Sequence, residues 1–193
     1  ELTVFYLDFD KELILERPDN IGTGIWTNLG ATSHKGIELG LNYDFGHLYD
    51  MLEGLKVYSN YTFTKAVSEA GKFEGKDLPY YSRHVGNLGL GYTFDKWSVN
   101  ADMFAQSKQH APGSGNIYQT VESADGRIGD IPGYSTFAVR TGYDFGEDFY
   151  GLKIAAGIKN VFDKEYFTRS SDSTGGKYVG QPRTFYLQTS VNF

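Results

Sequence analysis

The sequence predicts an all-β protein, an antiparallel up-and-down transmembrane β-barrel. Three observations lead there. Apolar and polar residues alternate with period two through most of the 193 residues. Three segments, "LNYDFG" (41–46), "LGYTFD" (90–95) and "GYDFG" (142–146), end in two aromatics one residue apart or in a close variant of that ending. Short and long connections between the alternating segments take strict turns along the chain, as periplasmic turns and external loops do in outer-membrane barrels.

The alternation predicts eight strands, over 2–15, 24–45, 54–67, 84–94, 96–108, 133–145, 151–168 and 183–193, with no convincing helix. In 55–63 one face carries Leu55, Val57, Ser59, Tyr61 and Phe63, the other Lys56, Tyr58, Asn60 and Thr62. In 97–105 Trp97, Val99, Ala101, Met103 and Ala105 oppose Ser98, Asn100, Asp102 and Phe104. The last strand sets Phe185, Leu187, Thr189, Val191 and Phe193 against Tyr186, Gln188, Ser190 and Asn192. Short connections fall near 46–53, 95–96 and 146–150, and long ones near 16–23, 68–83, 109–132 and 169–182.

The aromatic endings sit just before short turns. Tyr43, Phe45, Tyr92, Phe94, Tyr143 and Phe145, with Trp97, Phe149 and Phe193 at the same level, are expected to form a girdle at one membrane–water interface. Rings with a polar atom favour that layer. Tyr and Phe are also simply good strand residues, but their restriction to short-turn ends favours the girdle.

Sidedness follows from the two faces. The polar one carries Lys56, Asn60, Asn87, Asn100, Asp102, Arg140, Lys153, Lys159 and Gln188, together with Gly40, Gly89, Gly91, Gly142 and Gly157. The glycines read as gaps that a self-sealing soluble barrel would not leave. The apolar face is a continuous band, a liability in water and a requirement in lipid. The expected arrangement is therefore apolar outside and polar inside, as a sector of a wider barrel.

Composition agrees. Aromatics make up 16%, and the net charge is −6 without a Lys/Arg cluster, which argues against nucleic-acid binding. With no cysteine, disulfides, thiolate catalysis and Cys-type zinc sites are excluded. No apolar run reaches the roughly 18–20 residues of a membrane helix. The chain opens in a strand at Glu1 with no charged-then-apolar leader, which reads as a piece of a longer protein.

Several stretches together resemble TonB-dependent outer-membrane receptors. "LKIAAGIKNVFDKEYFTRS" (152–170) is similar to their penultimate strand, with Asn160, Val161, Phe162, Asp163 and Tyr166 matching its signature. "YVGQPRTFYLQTSVNF" (178–193) is similar to their last strand, with Gly180, Pro182, Arg183 and a terminal Phe193. Segments 36–45, 77–94 and 131–145 also match, so the resemblance covers essentially the whole chain. It implies that residues 1–193 are about the last eight strands of a roughly 22-stranded barrel, with the plug domain and TonB box absent.

The resemblance further implies uptake of an iron chelate. Segments 104–113 and 166–188 look most like ferric dicitrate receptors. Implied partners are the ferric chelate, TonB-ExbB-ExbD through the absent N-terminal part, the barrel-assembly machinery and outer-membrane lipid. No cofactor is expected, since iron enters already chelated. The terminal Phe193 resembles the signal read during barrel assembly.

An anionic chelate needs cations and donors at the outer mouth, where an Arg fork can bond both oxygens of a carboxylate. The candidates are Arg83, Lys108, Gln109, Arg127, Arg169 and Lys177, with hydroxyls from Ser170 to Thr174, including Ser173; Arg169 is the first choice. Each has the plain alternative of a solvated loop residue. Asn160, Phe162, Asp163 and Tyr166 read better as a structural turn or bulge than as ligand contacts. His34, His47, His84 and His110 are scattered, which argues against a metal site. Ser82 and His84 share a face without a third partner, and Asp125 and Asp130 stand in a loop without support, so no enzyme is expected. Neither Gly-rich stretch, "GTGIW" or "GSGN", is followed by the Lys-Ser/Thr of a phosphate loop. The alternative is a self-contained eight-stranded outer-membrane barrel with a structural or adhesive role.

Overall fold

The computed structural model describes residues 1–16, 25–70, 74–109, 129–170 and 177–191. Its strands are β1 (Leu2–Glu16), β2 (Ile25–Asp44), β3 (Leu55–Ser68), β4 (His84–Phe94), β5 (Trp97–Gln106), β6 (Tyr134–Asp144), β7 (Lys153–Lys159), β8 (Phe167–Ser170), β9 (Lys177–Val179) and β10 (Thr184–Ser190). Eight of them form one antiparallel sheet in the order β1-β2-β3-β4-β5-β6-β7-β10. This is a meander whose two edges, β1 and β10, are not paired with each other, so the sheet is an open sector of a barrel wall. A self-contained eight-stranded barrel would need that closing ladder.

The repeated ending "YDFG" has a local cause. Asp44 Oδ1 accepts the Gly46 N–H at 3.0 Å, and Asp144 Oδ1 accepts the Gly146 N–H at 2.9 Å. Each aspartate thus turns its own chain. The same carboxylates meet a lysine on the next strand, Lys56 at 3.4 Å and Lys153 at 2.8 Å. In the third copy Thr93 replaces the aspartate, and the turn is the two-residue Asp95–Lys96 link closed by the Phe94–Trp97 pair. Asp95 has φ 50°, as a tight hairpin turn requires. The other short connections carry one-turn 3-10 segments at Phe45–His47, Asp50–Leu52 and Glu147–Phe149.

One face of the sheet is apolar from edge to edge. Rows such as Leu2–Leu39–Tyr61 and Val139–Ile158–Phe185 cross it. Many of these side chains are bare: Leu39 is 46% exposed and Leu187 72%. A soluble sheet buries one face against a second layer. Among the described residues the buried apolar side chains are Ala66, Val67, Leu78, Ile131 and Ala155, and the first four lie where long connections fold onto the strand ends.

The polar face corrects one expectation. Its glycines are not gaps. A Cβ on Gly89 would lie 2.0 Å from the Tyr58 ring, and one on Gly157 2.5 Å from the Tyr186 ring. Ser98 and Asn100 crowd Gly142 and Gly91 in the same way, while Gly40 has only ordinary contact with Asn60. Each tyrosine lies over the glycine opposite it on the neighbouring strand, covering backbone that an alternation pattern leaves bare. Tyr58 donates to the Asp102 carboxylate, and Arg140 reaches Gln188 at 3.4 Å.

A second correction concerns the seventh strand. It ends at Lys159 rather than near 168, and β8 pairs with β9 in a separate two-stranded sheet. The break is built by side chains. Asn160, with φ 50°, donates to the Lys164 and Gln181 carbonyls at 2.9 and 3.0 Å and accepts the Lys164 N–H at 2.8 Å. Asp163, with φ 52°, accepts the Arg183 N–H at 2.8 Å. The ladder resumes where Gly180 N–H donates to the Tyr166 carbonyl at 2.7 Å.

Candidate functional site: the long-loop end of the wall

The long connections gather polar side chains at one end of the sheet. Thr32, Ser33 and Ser68 are fully buried there, beside His34 at 6% exposure. Thr32 donates to Glu12 at 2.5 Å, and Ser33 donates to Glu69. The His34 ring lies between Phe9 and Tyr81, with centroids at 5.4 and 5.2 Å, and its Nε2 is 3.5 Å from Glu12. Burial, and then the Glu12 charge, push the Tyr81 phenol above its ordinary range.

The connection after β3 folds back over this layer. Leu78 N–H donates to Ala66 at 2.9 Å. Arg83 closes the fold with a fork on Asp77, one nitrogen reaching both carboxylate oxygens at 2.8 and 2.5 Å. Thr64, Ala66, Asp77, Leu78, Arg83 and Lys108 line a cavity of about 300 Å³. On its far side Lys108 meets the Asp130 carboxylate at 3.0 Å, while Lys177 donates to the Asp130 carbonyl at 2.7 Å. Lys177 also stands 5.4 Å from the Phe167 ring centre. Gln109 contributes its backbone, exchanging two 3.0 Å hydrogen bonds with Ile131.

The ligand candidates therefore fall into three groups. Lys108 and Lys177 converge on Asp130, and Arg83 faces Asp77. Arg169 enters through its backbone, opposite Tyr178 in the β8–β9 hairpin. Arg127, Ser173 and Phe193 lie outside the described residues, as do His110 and Asp125. Arg83, Lys108 and Lys177 each hold an acceptor of this chain. An anionic ligand must compete with Asp77 or Asp130, or recruit the cation in exchange.

The aromatic residues of the short-turn ends are in contact on the apolar face. Trp97 and Tyr143 lie 4.8 Å apart, Tyr143 and Phe145 4.8 Å, and Phe145 and Phe149 5.7 Å. Tyr43 meets Phe45 at 5.2 Å, and Tyr92 stacks near Phe94 at 6.5 Å.

Ser82 and His84 do not act on each other. Ser82 Oγ donates to the Ser107 carbonyl at 3.0 Å, and His84 Nδ1 bonds the Tyr61 hydroxyl at 2.7 Å. Among the described residues no three His, Asp or Glu side chains converge as a metal site.

Sequence reasoning missed a groove of about 490 Å³ on the polar face, lined by Tyr58, Asn87, Asp102, Lys159, Tyr166 and Tyr186. Its signal was present in the two tyrosines that alternate into the polar wall. Tyr166 also packs 4.3 Å from Tyr134 and so ties the turn at Asn160 to the groove.

Comparison with known proteins agrees with this architecture. The family described as TonB dependent receptor-like, beta-barrel, matches residues 1–161. The ferric-pyoverdine M114 receptor of Pseudomonas sp. (strain M114) is 27% identical over 172 residues, which is 86% of this chain and 19% of that protein. The iron-regulated outer membrane virulence protein of Vibrio cholerae is 25% identical over the whole of this chain and 28% of its own length. The chain thus spans 19% and 28% of the length of these relatives. Among solved structures, the unliganded ferric citrate transporter FecA is 39% identical with a TM-score of 0.77, over 84% of this chain and 24% of that one. The copper transporter OprC has a TM-score of 0.74 at 17% identity, which shows the shared fold alone. A single-layer antiparallel wall, an apolar face with no second layer among the described residues, and a family match over most of the sequence lead to one conclusion: this chain belongs to the TonB-dependent receptor β-barrel family, in the outer membrane of a Gram-negative bacterium.

Proposed function

We propose that residues 1–193 form the C-terminal part of the barrel of a receptor for ferric dicitrate, supplying wall and part of the extracellular mouth. The observation that carries this reading is the 39% identity to the ferric citrate transporter, against 24% for a ferric-catecholate receptor and 15% for a ferric yersiniabactin receptor. The mouth chemistry supports it, because citrate presents carboxylates of the kind that Asp77 offers Arg83. Capture exchanges those internal carboxylates for the ligand's own. Iron arrives chelated, and the protein holds no cofactor. Uptake is driven by TonB-ExbB-ExbD through a plug domain outside this chain. The aromatic contacts at the short-turn end form the membrane girdle, and Phe193 is read by the barrel-assembly machinery.

The test is uptake of radiolabelled ferric citrate by cells carrying the full-length receptor and no other ferric citrate route. Uptake of ferric pyoverdine or a ferric catecholate in its place would overturn the substrate. In the same receptor, Arg169→Ala and Arg83→Ala should each weaken ferric citrate binding by about tenfold or more, the worth of a charge-assisted bond. Unchanged affinity in both variants would remove these arginines from the site. Phe193→Ser should lower the yield of assembled barrel, measured as the heat-modifiable band in outer membranes.

A further inference from the structure

We propose that Lys35 and Lys65 together bind the phosphate of an anionic lipid headgroup in the external leaflet. The two lysines are direct cross-strand partners, and Tyr6 completes their row. Alternation puts Lys35 on the same face as Ile37, Leu39 and Leu41, which are 40%, 46% and 54% exposed. Lys65 likewise shares its face with Phe63, Tyr61 and Val57. Both ammonium groups therefore leave the sheet on the lipid side, unlike the lysines of the polar wall.

Their depth fits a headgroup. Lys35 stands eight residues along β2 from Tyr43, whose ring packs against Phe45 at the short-turn end. At about 3.4 Å per residue this is about 27 Å along the strand. A strand tilt of about 40° reduces it to about 20 Å across the membrane, against an apolar band about 25 Å tall. A lipid-facing lysine is costly at the midplane and nearly neutral at the border. The backbone of the pair lies about 5 Å inside the external border, a depth from which a lysine stem carries its ammonium group to the headgroups, with Tyr6 and Phe63 beside and below it.

Two like charges directly opposite on a ladder repel. Three other lysines of the chain are neutralised in place: Lys56, Lys108 and Lys153 each reach an aspartate, at 3.4, 3.0 and 2.8 Å. Among the described residues neither Lys35 nor Lys65 has a carboxylate partner. Asp8 and Glu69 stand higher on the same end of the wall, and Glu69 takes the Ser33 hydroxyl; neither forms an ion pair with the two lysines. At this depth the surrounding anions are lipid phosphates. One phosphate between the two ammonium groups removes their repulsion, and its acyl chains lie along Ile37 and Phe63. Basic residues near a bilayer surface attract anionic lipid in this way.

The intact receptor, purified in a neutral detergent, is titrated with short-chain phosphatidic acid and followed by native mass spectrometry. Phosphatidylcholine and inorganic phosphate serve as the other two probes. Lys35→Ala with Lys65→Ala is expected to weaken phosphatidic acid binding about thirty-fold, and each single Gln variant about five-fold. The double Arg variant should retain binding. Phosphatidylcholine should bind equally to all forms. If the double Ala protein fails to assemble, the single Gln variants decide. Phosphatidic acid binding unchanged by either substitution overturns the proposal, as does inorganic phosphate binding as tightly as the lipid. None of these outcomes depends on which chelate the receptor transports.

Discussion

Gly54→Ala is expected to destabilise the barrel by about 4 kcal/mol, combining left-handed backbone strain with overpacking. Gly54 closes the turn before β3 with φ +85°, and its carbonyl accepts the Thr93 N–H at 3.0 Å. A Cβ there would lie 2.0 Å from the Thr93 carbonyl oxygen. That atom is backbone in a paired strand and cannot swing aside as a side chain does. Gly75 is the control, since it has φ +76° but nothing within 4 Å of the added carbon. Gly75→Ala should cost only the conformational part, about 1 kcal/mol. Urea unfolding of the full-length receptor in lipid, read by gel mobility, separates the two. Equal midpoints for both variants would show that the close approach of Gly54 to β4 carries no weight.

Asn160→Ala is expected to cost about 3–5 kcal/mol and to act locally, opening the hairpin from 160 to 183 before the rest of the wall. Asn160 is 5% exposed, and its amide satisfies three backbone groups of Lys164 and Gln181. Removing it leaves those groups unpaired and places alanine at φ 50°. Asp in its place keeps the acceptor for Lys164 N–H and tolerates that conformation, but supplies no donor for the two carbonyls. The order of damage is therefore Ala, then Asp, then wild type. Amide hydrogen exchange at Gly180 and Arg183 reads it directly, because both amides are held across this turn. Unaltered protection there in the Ala variant would mean that Asn160 does not hold the hairpin.

These two residues mark where sequence reading stops. The first six strand positions and the sidedness of the wall were legible, because side-chain direction alternates with every residue and needs no partner to be read. The seventh strand was overrun by nine residues, since 160–168 keeps aromatic and β-branched residues while an Asn side chain interrupts the ladder. The glycines of the polar face were legible as positions but not as contacts. Whether Gly89 is a hole or a bed for Tyr58 depends on which strand lies beside it and in what register.

The candidate site divides along the same line. Arg83, Lys108 and Lys177 were identified as mouth cations from charge and loop position. Their partners Asp77 and Asp130 were not, because Lys108 and Asp130 are 22 residues apart and Lys177 and Asp130 47. Lys35 and Lys65 are a pair only once β2 and β3 are in register. By itself the sequence determined the properties that each residue carries along its own strand: direction, polarity, and the aromatic endings before the short turns. The tertiary structure alone decided which groups stand side by side, because strands some thirty residues apart are matched by a hydrogen-bond register that a one-residue slip would reverse.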